Sequence, residues 1–307
     1  MNNFKRWIIQ NHDSLSLVTY QSKPPIDSTK WSIHDFKSKI KISNNEYEGI
    51  GISDDPEAAL IKSIAEAIER SVALKFFDTS NGCAVGASQE KTMASAKYEL
   101  VERHLFLSHF YENHPFCFIS KIGYDVCEAV DDAIDWVLSK GAKVQFFATD
   151  KYDNTPCIVS VISDNGEANI RFGGVIGLCY SEKIEYSIEK SFLEALSIYK
   201  YYHSSNEIYN SLSIESFLSQ QTWTFKDHGR LCLNVDYWRR IKHLFSENSE
   251  FVPRAVNINE NKFVFREFDI GIEDCPLYFY NCSHVDLLNL TPGDNSNSKI
   301  GMPHPIC

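Results

Sequence analysis

Apolar residues recur every three or four positions in the longest regular segments of the chain. This spacing places them on one face of a helix, and it predicts a first helix over about residues 58–75, with Ile64 and Ile68 in the apolar stripe. A second helix is predicted over about 86–111, and a third over about 182–203. These long helices are the clearest predicted elements of the chain.

Shorter runs rich in β-branched and aromatic residues predict strands between and after these helices. The glycine-rich stretch 173–177 is interpreted as a strand exit, because it lacks the Lys-Ser/Thr of a phosphate loop. Residues 1–48 have the least regular pattern, and residues 291–307 form a polar tail with a Pro-rich end. The fold class is therefore mixed α/β (α+β), with helices packed on β-sheet in a single domain over 1–307. The predicted strands cover 117–120, 143–149, 156–163, 169–172, 262–268 and 277–282, and shorter helices cover 130–140, 213–220 and 236–245.

The composition is that of a folded protein, and it excludes some classes of partner. Of the 307 residues, 43% are hydrophobic and 23% are charged, and 30 Lys and Arg against 41 Asp and Glu give a net charge of −11. An acidic chain without a block of basic residues is not expected to bind nucleic acid or an anionic membrane. The nine cysteines form no C-x-x-C pair, so we expect reduced core thiols and a cytoplasmic location.

The first two long helices carry the same pattern, E-x-[IV]-E-R. Glu66, Glu69 and Arg70 belong to the first copy, and the second copy begins 33 residues later at Glu99. Carboxylates three positions apart share a helix face, where they repel each other unless a cation lies between them or water screens them. The third helix adds Glu194 inside an apolar stripe. These helices therefore predict a site for a hard divalent cation such as Mg²⁺, which binds carboxylate oxygens and nucleotide phosphates.

Two arginines end the repeated patterns, and two roles fit them. Arg70 and Arg103 suit either phosphate oxygens or the orientation of neighbouring carboxylates. The alternative for each helix alone is an ordinary solvated surface with Glu-Arg neighbours. The duplication of the pattern favours a functional site, although spacing alone does not name a reaction.

These motifs, in this order, resemble the YcaO family. Its members carry an E-x-x-E-R helix, an S-N-G-x-A-x-G turn and a second E-x-x-E-R helix, which match residues 66–70, 80–86 and 99–103. The third helix around Glu194 is similar to a later E-A helix of the family, and the ending P-H-P-I-C resembles P-H-P-F-P. The resemblance is strong over about residues 49–201 and patchy elsewhere until the tail.

The resemblance implies an ATP- and Mg²⁺-dependent enzyme that acts on backbone amides of a ribosomally synthesised precursor peptide. In the family, the amide oxygen is phosphorylated, a nucleophile adds to the activated carbon, and phosphate leaves. This agrees with elementary chemistry, because phosphate leaves more easily than an amide oxygen and the enzyme needs mainly to position ATP and neutralise its charge. The expected product is an azoline ring from Cys, Ser or Thr, as in thiazole/oxazole-type RiPP biosynthesis. Sulfide would instead give a thioamide, and an amine an amidine.

The resemblance also implies roles for single residues. At the tail, Pro303 and Pro305 present the terminal carboxylate of Cys307, the analogue of the family's C-terminal group at the active site. A Pro-x-Pro stem restricts the conformations of the terminus, whereas the alternative for any terminus is a frayed end. The implied metal ligands are Glu66, Glu69, Glu99, Glu102 and Glu194, and the implied nucleotide-binding residues are these five with Arg70, Asn81, Arg103 and Ser191.

Three positions depart from the family pattern. Lys62 stands where a serine usually precedes the first glutamate, with Ser63 one place later. No glutamine follows Glu194, where the sequence reads Ala-Leu-Ser, and the final residue is Cys307 instead of proline. None of the three departures removes a carboxylate.

The resemblance further implies partners. A homodimer is expected. Because the chain has no room for a separate peptide-clasping domain, we expect a second protein to capture the leader region of the precursor peptide. A hypothesis of another class is a non-catalytic subunit that binds only a nucleotide or a partner.

Overall fold

The computed structural model divides the chain into two compact units. Unit 1 contains Met1–Val101 and Asn259–Leu287, and unit 2 contains Glu102–Ile258 and Leu288–Cys307. Within the described residues, no helix is both long enough and apolar enough to cross a membrane. The structure describes residues 2–22, 31–42, 44–77, 79–120, 126–164, 172–204, 211–220, 224–288 and 302–306.

Helices and strands follow each other along most of the chain. In chain order they are α1 (Asn2–Asn11), β1 (Val18–Gln21), β2 (His34–Ile42), β3 (Asn45–Ser53), α2 (Pro56–Phe76), β4 (Cys83–Gly86), α3 (Gln89–Glu112), β5 (Cys117–Ile119), α4 (Glu128–Ser139), β6 (Ala142–Tyr152), β7 (Thr155–Asp164), β8 (Gly174–Cys179), α5 (Ile184–Ser204), α6 (Ile214–Leu218), α7 (Phe225–Cys232), α8 (Val235–Ile241), β9 (Val264–Phe268) and β10 (Tyr278–Ser283). Two short 3-10 helices cover Lys242–Leu244 and Glu260–Lys262. Helix α3 contributes residues to both units.

The described strands form three antiparallel sheets. Unit 1 contains one sheet of order β1-β2-β3 and one of order β4-β10-β9, and unit 2 contains a sheet of order β5-β6-β7-β8. The hairpin between β6 and β7 turns at Asp153 and Asn154, whose φ angles of 48° and 63° lie in the left-handed region that two-residue hairpin turns favour.

Helix α2 begins where the sequence provides a helix start. The Asp55 side chain accepts a hydrogen bond from the backbone N–H of Glu57 at 2.8 Å, and Pro56 occupies the first turn. The apolar face of α2 packs on α1 and on the first sheet, so that the buried core of unit 1 forms around this helix. The buried members of this cluster are Phe4, Trp7, Leu15, Leu17, Ile40, Ile64, Ala67, Ile68 and Leu277.

The core of unit 2 forms on both faces of its sheet. All but the two end residues of β7 are buried, which requires cover on both sides of the strand. Helices α4 and α5 provide part of this cover and meet through Trp136 and Tyr199, whose ring centroids are 5.9 Å apart. The ring of Phe245 stacks on Phe116 at 4.9 Å and on Trp238 at 5.5 Å, which adds an aromatic layer.

The mixed α/β fold class and most predicted elements are confirmed. Helices α2, α3 and α5 coincide within a few residues with the three long predicted helices. The predicted shorter elements correspond to α4, α6, α8, β5, β6, β7, β9 and β10.

The structure corrects the sequence analysis at two places. The segment 1–48, which has no clear sequence pattern, contains α1, β1, β2 and the start of β3. The stretch 173–177 is not a strand exit, because β8 begins at Gly174 and a side chain there would overlap Trp238. Of the predicted strand 169–172, only Phe172 lies within the described residues, and it is not in a strand.

Candidate functional site

Unit 1 holds three of the predicted glutamates, and one of them, Glu69, lies within range of the charges of the other two. Glu66 and Glu69 are one turn apart on α2, and Glu99 lies on α3. Burial, together with the charges of Glu99 and Glu66, raises the pKa of Glu69 well above its usual value, against the opposing charge of Arg70. Burial also raises the pKa of Glu66, although 30% of its side chain is exposed. Carboxylates this close favour a cation between them.

Backbone amides at strands hold two of these carboxylates in place. Oε2 of Glu66 accepts a hydrogen bond from the N–H of Ile50 in β3 at 2.7 Å, and Glu69 accepts one from the backbone of Val85 in β4. Oε1 of Glu66 pairs with the Arg70 guanidinium at 2.6 Å, and Arg70 also donates to a carbonyl oxygen of β3 at 3.0 Å. Arg70 therefore orients Glu66, which is one of the two predicted roles for this arginine.

Unit 2 holds the other two glutamates in a similar way. Glu102 on α3 accepts a hydrogen bond from the N–H of Tyr180 at 2.9 Å, and Glu194 on α5 accepts one from the N–H of Leu178 at 2.6 Å. Burial raises the pKa of Glu102 to about 7, with Arg103 opposing the shift and the charge of Glu194 adding to it. A carboxyl group with this pKa is partly protonated at neutral pH. A cation bound there would replace the proton and would offset the repulsion between the carboxylates of Glu102 and Glu194.

The chemistry of these donors fits Mg²⁺ bound together with a nucleotide. Carboxylate oxygens are hard ligands, and in four of the five glutamates a backbone group fixes the carboxylate. Among the described residues, no group of three or more His, Cys, Asp or Glu is arranged to hold a metal ion alone. Mg²⁺ commonly uses one or two protein carboxylates and completes its shell with water and phosphate oxygens. The residues of each unit therefore suit a metal that arrives with phosphate.

A buried pair of serine hydroxyls lies one helical turn before an anchored glutamate in each unit. In unit 1, the Oγ atoms of Ser38 on β2 and Ser63 on α2 are 2.6 Å apart. In unit 2, the Oγ atoms of Ser160 on β7 and Ser191 on α5 are also 2.6 Å apart. All four side chains are buried. The hydroxyl of Ser191 is thus engaged inside the fold, and its role as a nucleotide ligand stays a prediction.

Glycines bring the same helices into close contact with the strands. A Cβ atom on Gly49 of β3 would overlap the carbonyl oxygen of Ser63, and a Cβ atom on Gly177 of β8 would overlap that of Ser191. In each hairpin the glycine pairs across the sheet with the buried serine of the neighbouring strand. The missing side chain therefore leaves the space through which the two hydroxyls meet.

The predicted S-N-G turn leads into β4 of unit 1. Gly82 has a φ of 71°, and a Cβ atom there would overlap the carbonyl oxygen of Cys282, so the turn requires glycine. Asn81 is buried, and its role toward a nucleotide stays a prediction. Lys62, which departs from the family pattern, is exposed on α2.

The Pro-rich end of the chain is packed inside unit 2. Residues 302–306 are buried, Pro303 and Pro305 among them, so this segment is not a frayed end. Cys307 lies outside the described residues. The catalytic roles of Cys307, Pro303 and Pro305 stay predictions.

Two side chains of unit 2 hold this segment by its backbone. The hydroxyl of Tyr237 donates to the carbonyl oxygen of Pro303 at 2.6 Å. Nδ1 of His228 lies 2.6 Å from the carbonyl oxygen of His304, and the two imidazole rings stack at 3.9 Å. Burial lowers the pKa of His228 to about 4, so the ring is neutral at pH 7 and donates from Nδ1.

Four residues that support the predicted site residues were not predicted from the sequence, namely Ser38, Ser160, His228 and Tyr237. A signal exists for the serine pairs, since Ser63 and Ser191 each stand three residues before a glutamate. No comparable signal marks His228 and Tyr237, because they bind backbone carbonyls that any sequence provides.

Comparison with known proteins relates the chain to one family. A family model described as YcaO cyclodehydratase, ATP- and Mg²⁺-binding, matches residues 74–260. No curated protein matches the sequence.

Solved structures share the fold at low sequence identity. A chain of the E. coli microcin synthetase McbBCD complex has a TM-score of 0.60 at 11% identity, over 94% of this chain and 96% of that one. YcaO from Methanopyrus kandleri, bound with AMPPCP and Mg²⁺, has a TM-score of 0.58 at 11% identity, over 95% of both chains. A heterocyclase in complex with substrate and cofactor has a TM-score of 0.59 at 9% identity, over 90% of this chain and 51% of that one. Identities this low carry an argument about the fold only.

Proposed function

Because this chain belongs to the YcaO family, we propose that it is an ATP- and Mg²⁺-dependent peptide cyclodehydratase. It activates backbone amides of a ribosomally synthesised precursor peptide by phosphorylation, and it forms azoline rings from Cys, Ser or Thr. The family description names ATP and Mg²⁺, as the sequence predicts. The observation that carries the proposal is the set of crowded carboxylates in each unit, held by backbone amides of strands.

Five glutamates would hold the metal and the nucleotide. They are Glu66, Glu69 and Glu99 in unit 1 and Glu102 and Glu194 in unit 2. When bound, Mg²⁺ supplies charge neutralisation for the phosphate oxygens of ATP. The contribution of the chain is positional, since carboxylates fixed before binding need little reorganisation when the phosphate charge arrives.

Arginines and the tail complete the proposed active site. Arg70 orients Glu66, and Arg103, whose Nε is 3.8 Å from Oε1 of Glu102, adds a positive charge beside that carboxylate. The terminal carboxylate of Cys307 would act on the activated peptide. The buried backbone contacts of 302–306 support this role, because they fix the residues from which the terminus extends.

The proposal includes partners. We expect a precursor peptide, a separate protein that binds its leader region, a homodimer, a cytoplasmic location and a single catalytic domain over residues 1–307. The McbBCD synthetase supports the expectation of a partner protein, because it is a complex.

ATP hydrolysis tests the carboxylate assignment. With precursor peptide and partner protein present, Glu66→Ala and Glu99→Ala should each abolish peptide-stimulated hydrolysis, because each removes a ligand of the metal. Glu90→Ala, which alters an exposed glutamate on α3, is the matched control and should hydrolyse ATP like the wild type. Unchanged turnover in Glu66→Ala and Glu99→Ala would contradict the assignment of these glutamates as metal ligands.

Mass spectrometry of the peptide tests the product class. Loss of one water per modified site indicates an azoline. Exchange of oxygen for sulfur indicates a thioamide, and incorporation of an amine with loss of water indicates an amidine. No mass change with peptide, partner and ATP all present would favour a non-catalytic subunit.

A further inference from the structure

Residues 49–72 and 177–200 are two copies of one sequence pattern. Aligned without gaps at a constant offset of 128, so that Gly49 meets Gly177 and Glu66 meets Glu194, they are identical at seven positions. The shared positions read G-x3-S-x3-E-x4-K-S-x2-E-A. They include the glycine, the helix serine and the glutamate whose contacts are the same in both units.

Each copy lies within a longer segment of the chain, and the two segments have the same architecture. We call α1, β1, β2, β3 and α2 the first module, and α4, β6, β7, β8 and α5 the second module. Each module consists of a helix, three antiparallel strands and a second helix. Among the described strands, the last strand of each module, β3 or β8, lies at an edge of its sheet. Helix α2 begins at Pro56 and α5 at Ile184, which again differ by 128 positions.

In both modules, the helix serine has a second hydrogen-bond partner within its own helix. Ser63 donates its own proton to the carbonyl oxygen of Leu60 at 2.8 Å, and Ser191 donates to that of Ile188 at 3.1 Å. Donation to this carbonyl leaves the oxygen of the helix serine available to accept a proton from the strand serine. The hydroxyl pair links the hairpin to the helix at this turn.

We propose that Ser38 and Ser160 are positioning residues for the Mg²⁺–nucleotide site. Each ties its helix to its hairpin one turn before a metal-binding glutamate, while a strand amide ties the carboxylate itself. Two fixed points on successive turns stop the helix from sliding along the strand, and so they fix where the carboxylate stands. This inference rests on the proposed function, because it requires that Glu66 and Glu194 bind the metal.

The alternative is that these hydroxyl pairs stabilise only the packing of helix on sheet. A packing role would lower the stability of the fold and leave the affinity for Mg²⁺–nucleotide unchanged. A positioning role lowers the affinity in protein that is still folded. Affinity and stability must therefore be measured on the same samples.

The test is calorimetric titration of the full chain with AMPPCP and Mg²⁺, alongside thermal unfolding. Ser38→Ala and Ser160→Ala should each bind about tenfold more weakly than the wild type, as is typical when a partner of a metal ligand is lost. Ser38→Thr keeps a hydroxyl donor and should restore most of the affinity. Ser71→Ala is the matched control, because this buried serine of α2 donates to Ile68 within the helix and should leave the affinity unchanged.

A double-mutant cycle tests whether Ser38 acts through Glu66. In a Glu66→Gln background, Ser38→Ala should cause no further loss of affinity. The same fold loss in both backgrounds would overturn the inference. If the alanine variant does not fold, Ser38→Cys, similar in size and a weaker donor, replaces it.

The outcomes separate the two proposals. Wild-type affinity in Ser38→Ala and Ser160→Ala overturns the positioning role alone. A wild-type protein that does not bind AMPPCP with Mg²⁺ overturns the proposed function, and the positioning role with it.

Discussion

The two modules share the residues that position a carboxylate and differ in those that set the charge around it. On α2, the positions three and four after Glu66 are Glu69 and Arg70. On α5, the corresponding positions after the anchored glutamate are Ser197 and Ile198. The first module therefore carries its own counter-charge, Arg70. In the second module, Glu194 lies within range of the charge of Glu102 on α3, and Arg103 lies beside Glu102. The repeated fold thus fixes the place of a carboxylate, and the flanking residues set a different charge around each copy.

The modules also differ in how far the close helix contact extends. A Cβ atom on Gly51 would overlap the carbonyl oxygen of Ala59, so α2 touches β3 at two glycines. The position equivalent to Gly51 in the second module is Cys179, whose Cβ atom excludes a helix approach as close as that of α2 at Gly51. The contact common to both modules is the one nearest the glutamate. We infer that this contact is required and that the other is optional.

The largest expected effect follows from this contact. Gly49→Ala and Gly177→Ala should each lower the free energy of unfolding by about 3 kcal/mol or more, because the new methyl group would overlap helix backbone that cannot rotate away. Gly51→Ala should cost a similar amount. Cys179→Ala, at the equivalent position, should cost about 1 kcal/mol. Urea unfolding of the four variants measures these differences.

The contrast between Gly51 and Cys179 is the internal control. Normal stability in Gly177→Ala would mean that α5 can move away from β8. The two modules would then not share a fixed helix contact, and the comparison between them would break.

Long helices and their carboxylates could be predicted because their signals are local. Apolar spacing on α2, α3 and α5 repeats every three or four residues, and each glutamate interrupts or flanks that stripe. The family resemblance then assigned the glutamates a metal and a nucleotide.

Strand β3 and the serine pairs could not be predicted in the same way. β3 contains Gly49 and Gly51, and glycine normally weakens a strand, yet here the missing side chains allow the backbone of α2 to lie directly against β3. Strand β2 alternates lysines with buried residues, but Ser38 occupies a core position where an apolar residue is expected. The hydroxyl of Ser38 bonds to that of Ser63, 25 residues later in the sequence. The need for a serine at this position therefore comes from a tertiary contact, which the local sequence does not show.

Unit 2 differs further from unit 1 by holding the tail through a buried histidine. Its folded pKa of about 4 lies below the ordinary value of 6.5, so between these pH values the unfolded chain binds a proton that the folded chain does not. The contribution of neutral His228 to the free energy of unfolding is therefore fully present above about pH 6.5, and it is lost as the pH falls toward 4. The loss reaches roughly 3 kcal/mol.

The variant His228→Asn isolates this group. Asparagine can still donate to the carbonyl oxygen of His304 but does not titrate. The difference in unfolding free energy between wild type and variant should therefore shrink between pH 7 and pH 4, as urea unfolding at several pH values would measure. A difference that is constant over this range contradicts a neutral, buried His228.

The smallest expected effect separates the tail's anchorage from its chemistry. Tyr237→Phe removes only the hydroxyl that donates to Pro303 and should cost about 1 kcal/mol of stability.

Deletion of Cys307 leaves both backbone contacts of the tail in place, so it should cost no stability. If the terminal carboxylate acts on the activated peptide, the deletion lowers kcat for peptide modification with the KM for ATP unchanged. An equal loss of turnover and nucleotide affinity on deletion would show that the terminus serves binding and not the chemical step.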